Sequence, residues 1–221
     1  MTESHQQAEP EAPAPPAVVF EAFTEAAPTL IRYAGWLAGA GTVRGLIGPR
    51  EVPRLWDRHV LNSVALAELL PAGIRIVDIG TGAGLPGLAV AIVRPDLRVD
   101  LVESLRRRTD FLSEVVADLD LRDRVRVVRG RAEEPAVVQT VGHADVVTAR
   151  AVAPLDKLVR WSFPLLAPGG RLMAMKGSAA ADEVAAQAAA LRKAKAVVER
   201  IVECGVDLVD PPARAVVISR R

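Results

Sequence analysis

The sequence predicts an α/β protein built on an open, mostly parallel sheet with helices on both faces. Three observations predict it. Residues 74–78, Ile-Arg-Ile-Val-Asp, form a short apolar strand that runs into a glycine-rich turn at 80–87 and then an apolar helix at 88–93. Beyond it, β-rich runs alternate with helical stretches, the pattern of parallel strands joined by right-handed crossovers. Finally, only a loop separates the last two β-rich runs, 197–204 and 215–219, which predicts a hairpin and one antiparallel edge strand.

Taken in order, residues 1–17 are polar and then Ala/Pro-rich, with Pro10, Pro13, Pro15 and Pro16. Such a segment buries too little apolar surface to order itself and reads as a disordered tail. From 18 to 37, Phe20, Phe23, Ala27, Leu30, Ile31, Ala34 and Leu37 recur at helical spacing, interrupted by Pro28. Gly39, Gly41, Gly45 and Gly48 make a loop, and a second helix is expected over 53–70, closed by Pro71 and Gly73. Residues 18–72 therefore read as an N-terminal helical extension, and 73–221 as the ligand-binding domain. Within that domain, further strands are expected at 98–103, 124–129, 144–149 and 171–176. Helices are expected at 105–119, 155–166 and 182–195, with Leu-Ala-Pro-Gly-Gly at 166–170 as a tight stop.

Bulk properties exclude several classes. Half of the 221 residues are apolar and a quarter charged, as in ordinary globular proteins. A single cysteine, Cys204, rules out an internal disulfide framework and fits a reducing, cytoplasmic setting. No run approaches the roughly 18 apolar residues a membrane span requires, and the N-terminus lacks the plan of a signal peptide. The net charge of +1 makes the chain no polycation, so any nucleic-acid contact must come from local arginines. Arg106, Arg107 and Arg108, with Arg122, Arg124, Arg126, Arg129 and Arg131, offer either a backbone-binding patch or a solvated face. The sequence has no metal-ligand cluster and no Ser-His-Asp spacing.

The glycine turn by itself is ambiguous. Gly82-Ala83-Gly84-Leu85-Pro86-Gly87 satisfies the dinucleotide pattern, and Glu103 stands where a ribose-binding acid belongs. No Gly-Lys-Ser/Thr follows, which excludes a phosphate-loop NTPase. Asp78, just before the turn, would repel a pyrophosphate but suits a cationic, amino-acid-bearing ligand; its alternative role is to cap the turn. S-adenosyl-L-methionine, with Asp78, Gly80, Gly82, Gly84, Leu85 and Glu103 as candidate contacts, therefore fits better than NAD.

Val77-Asp78-Ile79-Gly80-Thr81-Gly82-Ala83-Gly84-Leu85-Pro86-Gly87 closely resembles the first motif of the GidB/RsmG methyltransferases, which modify N7 of a guanine in small-subunit ribosomal RNA. Further matches follow in the family's order: Arg58-His59-Val60-Leu61-Asn62-Ser63, Arg129-Gly130-Arg131-Ala132-Glu133-Glu134, Ala149-Arg150-Ala151-Val152-Ala153 and Met175-Lys176-Gly177. The resemblance covers about residues 20–220. It implies a Rossmann-like class I methyltransferase with a seven-stranded sheet. It also places Gly80 and Leu85 against S-adenosyl-L-methionine, Glu103 on its ribose, Ala132 and Glu133 at its adenine, and Arg150 at the cofactor and reaction site. Asn62 departs from the family, many of whose members carry Asp there, so an amide replaces a carboxylate and only a hydrogen-bonding role survives.

Arginine is the side chain suited to phosphates and to the O6/N7 edge of guanine. Arg58, His59, Arg150 and Lys176 are accordingly the candidate catalytic residues. Arg58 and Asn62 are four apart on one helical face, and Arg150 and Lys176 end the fourth and fifth strands. The expected partner is small-subunit ribosomal RNA, within the subunit or an assembly intermediate, approached by a monomer. Two rivals stay open: a methyltransferase of a small molecule or protein, and a non-catalytic ribosome-assembly factor. An NAD enzyme is a weaker third.

Overall fold

The structure, a computed structural model, describes residues 10–221. It is a seven-stranded sheet in the order β3-β2-β1-β4-β5-β7-β6. The strands are β1 (Arg75–Ile79), β2 (Arg98–Glu103), β3 (Val125–Arg129), β4 (Ala144–Arg150), β5 (Leu166–Lys176), β6 (Ala196–Cys204) and β7 (Ala213–Arg220). The first five run parallel. β7 is antiparallel to both β5 and β6. The hairpin expected at the C-terminus is therefore present, but its antiparallel strand is not the edge. β7 lies one place in, where it pairs on both sides, and β6 takes the edge.

The strands are nearly continuous apolar runs because both faces are covered. Alternate residues serve opposite layers. Ile76, Val99 and Leu101 enter one core, whereas Val77, Ile79 and Val102 enter the other.

The first layer begins with α1 (Ala17–Ala22), α2 (Ala27–Ala38) and α3 (Ala40–Val43). Pro28 sits in the first turn of α2, where its missing N–H leaves no hydrogen bond unmade; it starts a helix where the spacing suggested an interruption. The second expected helix is not one α-helix. It consists of a 3₁₀ stretch Pro49–Arg54, a π-helical stretch Leu55–Leu61, a single α turn α4 (Asn62–Val64) and a 3₁₀ stretch Ala65–Leu69. The same layer holds α5 (Gly87–Val93) and α6 (Arg106–Asp118). Leu30, Tyr33, Leu37, Leu61 and Leu66 of the extension share one core with Leu88 of α5 and Phe111 of α6.

The second layer comprises α7 (Pro135–Val141), α8 (Leu155–Ser162), α9 (Ala180–Ala186) and α10 (Ala188–Lys193). The sequence reading missed α7 and ran α9 and α10 together; they break at Gln187. Residues 1–9 of the expected tail lie outside the described residues. Residues 10–16 follow an irregular path on which Ala12 packs against the core and the Trp56 indole donates to the Pro13 carbonyl at 2.8 Å. Among the described residues, no helix is long and apolar enough to cross a membrane.

Candidate functional site

β1 ends in the glycine turn at the carboxyl edge of the sheet, where open α/β sheets receive ligands. Gly80 has φ +62°, and a Cβ there would come within 2.7 Å of Val152. The turn thus closes against the loop after β4 with only hydrogen to spare. Gly84, at φ +102°, leaves equally little room, since a Cβ would lie 2.9 Å from the Tyr33 hydroxyl. That hydroxyl is fully buried and donates to the Ala83 carbonyl at 2.9 Å, so α2 supports the turn from behind. Burial drives the phenol well above its usual range.

Asp78 is fully buried. Its oxygens accept from the Thr148 hydroxyl at 2.7 Å and the Gly87 N–H at 2.9 Å. Burial pushes this carboxyl up to about 6, against the pull of those donors and of the Arg150 charge. Asp78 therefore ties the start of α5 to β4, the turn-capping alternative, and does not face the open cavity.

That cavity, about 250 Å³, is lined by Ile79, Gly80, Val102, Glu103, Ser104, Gly130, Arg131, Ala132, Glu133, Val152 and Trp161. Four of the expected cofactor contacts are thereby brought together: Gly80, Glu103, Ala132 and Glu133. Gly82, Gly84 and Leu85 shape the turn without lining it. Glu103 is only 3% exposed. It accepts the Gly82 N–H at 3.1 Å and the Leu105 N–H at 3.0 Å, with longer contacts to Ser104 Oγ at 3.5 Å and Arg108 Nη1 at 3.4 Å. Val152 and Trp161 are walls the sequence reading did not assign. Nothing local to Trp161 in the sequence signals that α8 carries it to this cavity.

Beside the cavity, at the carboxyl ends of β4 and β5, lies a cleft of about 610 Å³ whose lining includes Glu51, Arg58, His59, Asn62, Arg150 and Lys176. All four candidate catalytic residues meet there, although Arg150 stands 92 positions beyond Arg58 and Lys176 lies on the next strand. Ala151, at φ +55°, turns the chain from Arg150 in the cleft to Val152 at the cavity. Arg58 and Asn62 share the cleft even though their segment begins as a π-helix, a geometry that recurs at functional sites.

The four differ in what holds them. Arg150 Nη1 donates to the Arg58 carbonyl at 3.0 Å, and Nη2 meets His59 Nδ1 at 3.2 Å. Among the described residues, no carboxylate lies within ion-pair distance of this guanidinium. Burial lowers its pKa, against the pull of Tyr33 and Asp78. His59 Nε2 is 3.0 Å from Glu51 Oε2, and Arg58 is 3.4 Å from Glu51 Oε1. Lys176 is the most committed: Nζ donates to the Ala153 carbonyl and to Glu183 Oε1, each at 2.9 Å. It buttresses the loop after β4 more than it presents charge. The arginine run is likewise dispersed. Arg124 and Arg126 lie at the other end of the sheet, bonded to the Ala91 carbonyl and to Asp100.

The family described as GidB, rRNA small subunit methyltransferase G, matches residues 26–210. This chain belongs to that family. Relatives named "Ribosomal RNA small subunit methyltransferase G" include one from Salinispora arenicola, 55% identical over 86% of this chain and 80% of the relative. Another from Mycolicibacterium gilvum is 51% identical over 94% of this chain and 90% of the relative. Solved structures confirm the fold. The mitomycin 7-O-methyltransferase MmcR superposes with a TM-score of 0.59 at 22% identity, covering 92% of this chain and 67% of that one. Aeropyrum pernix fibrillarin, solved with natively bound S-adenosyl-L-methionine, gives 0.54 at 18% identity, covering 72% and 76%. The chain is thus a methyltransferase by family, and it shares its fold with a protein that binds S-adenosyl-L-methionine. The cavity suits that cofactor: apolar walls from Ile79, Val102, Ala132, Val152 and Trp161 flank an acid at the end of β2.

Proposed function

We propose that this chain transfers a methyl group from S-adenosyl-L-methionine to N7 of one guanine in small-subunit ribosomal RNA. It acts as a cytoplasmic monomer on the subunit or an assembly intermediate. The observation that carries the reading is Arg150, a cation held by neutral acceptors in a cleft that adjoins the cofactor cavity through Ala151 and Val152. Its charge stays available to a polyanion and to the O6 edge of a guanine.

Bound in the cavity, the cofactor supplies an electrophilic methyl group on a sulfonium. Glu103, whose contacts to Ser104 and Arg108 are long, would hold the ribose. Ala132 and Glu133, which line the same cavity, would border the adenine. Guanine N7 carries a lone pair and no proton, so the reaction requires no general base. The protein's work is to hold the base, align N7 with the methyl group and exclude water. Arg150, with Arg58 and Asn62 along the cleft, positions the RNA, while Lys176 and Glu183 fix the loop that joins cleft to cavity.

The test offers labelled cofactor to small subunits, and separately to deproteinised RNA, from cells lacking this gene. N7-methylguanosine is opened by borohydride and cleaved by aniline. Scission at a single labelled guanine is the expected result. Label at another atom, or only on small molecules or protein, overturns the proposal.

A further inference from the structure

Glu51 belongs to none of the motifs that identify the site, yet it borders the reaction cleft and holds one end of a three-residue chain. Its Oε2 lies 3.0 Å from His59 Nε2, and His59 Nδ1 lies 3.2 Å from Arg150 Nη2. A guanidinium can only donate. His59 Nδ1 must therefore be the acceptor, which leaves the ring proton on Nε2, facing a carboxylate. One tautomer satisfies both contacts, and Glu51 selects it.

We propose that Glu51 is a positioning residue for methyl transfer: through His59 it fixes the acceptor that, with the Arg58 carbonyl, aims the Arg150 guanidinium into the RNA cleft. The inference rests on the assignment of Arg150 to the RNA step. The arrangement is specific because the carboxylate reaches Arg150 only through the ring. A direct Glu51–Arg150 ion pair would consume the charge the RNA needs, whereas the interposed imidazole orients it and leaves it free. Burial holds the imidazole below its usual range, Glu51 opposes that shift, and the Arg150 and Arg58 charges reinforce it. Neutral His59 is the form that accepts from Arg150. Glu51 lies on the 3₁₀ stretch Pro49–Arg54, so the N-terminal extension takes part in the chemistry as well as in packing.

The experiment compares full-length wild type, Glu51→Ala, His59→Ala and the double variant by single-turnover methyl transfer to small subunits. Cofactor affinity and melting temperature are measured alongside. Glu51→Ala is expected to slow transfer about tenfold, with cofactor affinity and melting temperature little changed. In the His59→Ala background the same change is expected to cost less than about twofold, the non-additivity of residues acting through one contact. Additive losses, or unimpaired transfer in Glu51→Ala, would overturn the proposal.

A second readout is independent of RNA. Nitrogen-15 NMR of the histidine signal that vanishes in His59→Ala should report the Nε2-protonated neutral tautomer in the wild type and a mixture in Glu51→Ala. An unchanged tautomer in Glu51→Ala would overturn the role of Glu51. Failure of the wild type to methylate RNA, with that tautomer intact, would instead count against the substrate assignment.

Discussion

Asp100 at one end of the sheet and Arg150 at the other are held in opposite ways. Toward the amino end, Asp100 is nearly buried and lies between Arg75 Nη2 at 2.7 Å and Arg126 Nε at 2.6 Å. Opposite charges are paired directly, and the cluster is complete in itself. At the carboxyl end, Asp78 and Arg150 are each held by neutral partners. Asp78 takes a hydroxyl and a backbone N–H, and Arg150 takes a carbonyl and an imidazole. Arginine content alone therefore says little about where RNA docks. What distinguishes the sites is whether a carboxylate already occupies the guanidinium.

Substitutions can break or sharpen this contrast. The largest effect is expected for Arg150→Ala, with single-turnover transfer reduced by about 10²-fold and cofactor affinity nearly unchanged. Arg150→Lys should not restore it, because an ammonium lacks the planar fork that engages both acceptors. Gly80→Ala comes next. Its left-handed backbone and the close Val152 contact predict a loss of about 1–2 kcal/mol, read as cofactor binding weakened roughly tenfold in calorimetry. At the opposite end, Asp100→Ala should lower stability by only about 1 kcal/mol in urea titrations, since both arginines reach solvent. Transfer rate should be unaffected there; a fall comparable with Arg150→Ala would erase the distinction between the ends.

The smallest effect concerns pH. Burial raises the Asp78 carboxyl from 3.8 to about 6, so the folded chain holds a proton there that the unfolded chain has already lost. Stability from this group is full below the unfolded value and declines as pH rises through about 6. Asp78→Asn keeps the shape and can still bond Thr148 and Gly87. It should flatten the stability profile between roughly pH 4 and 6, measured by thermal melts; an unaltered profile would remove Asp78 as its source.

Local features were legible in the sequence, and partnerships across it were not. The strand–turn–helix around Gly80 and the position of Glu103 follow from neighbouring residues, so spacing alone locates them. Lys176 was read correctly as lying at a strand end on the ligand side. Its neutralisation by Glu183 depends on how α9 packs back over β5, which no spacing rule contains. The contact of Glu51 with His59, eight residues on, is hidden from spacing rules for the same reason. Arg124 and Arg126 alternate on a strand as a binding patch would, yet that strand's amino end faces away from the cleft. The π-helical stretch at 55–61 has the same apolar residues as an ordinary helix, and only its tertiary setting distinguishes it.

The most direct test is the salt dependence of RNA binding, measured side by side for wild type, Arg150→Ala and Arg126→Ala. Each cation that meets a phosphate steepens the fall of log affinity with log salt by a little under one. The slope should become shallower by about that amount in Arg150→Ala and stay unchanged in Arg126→Ala. An unchanged slope in Arg150→Ala, or a shallower one in Arg126→Ala, would contradict the claim that Arg150, and not the carboxylate-paired Arg126, is left free for RNA.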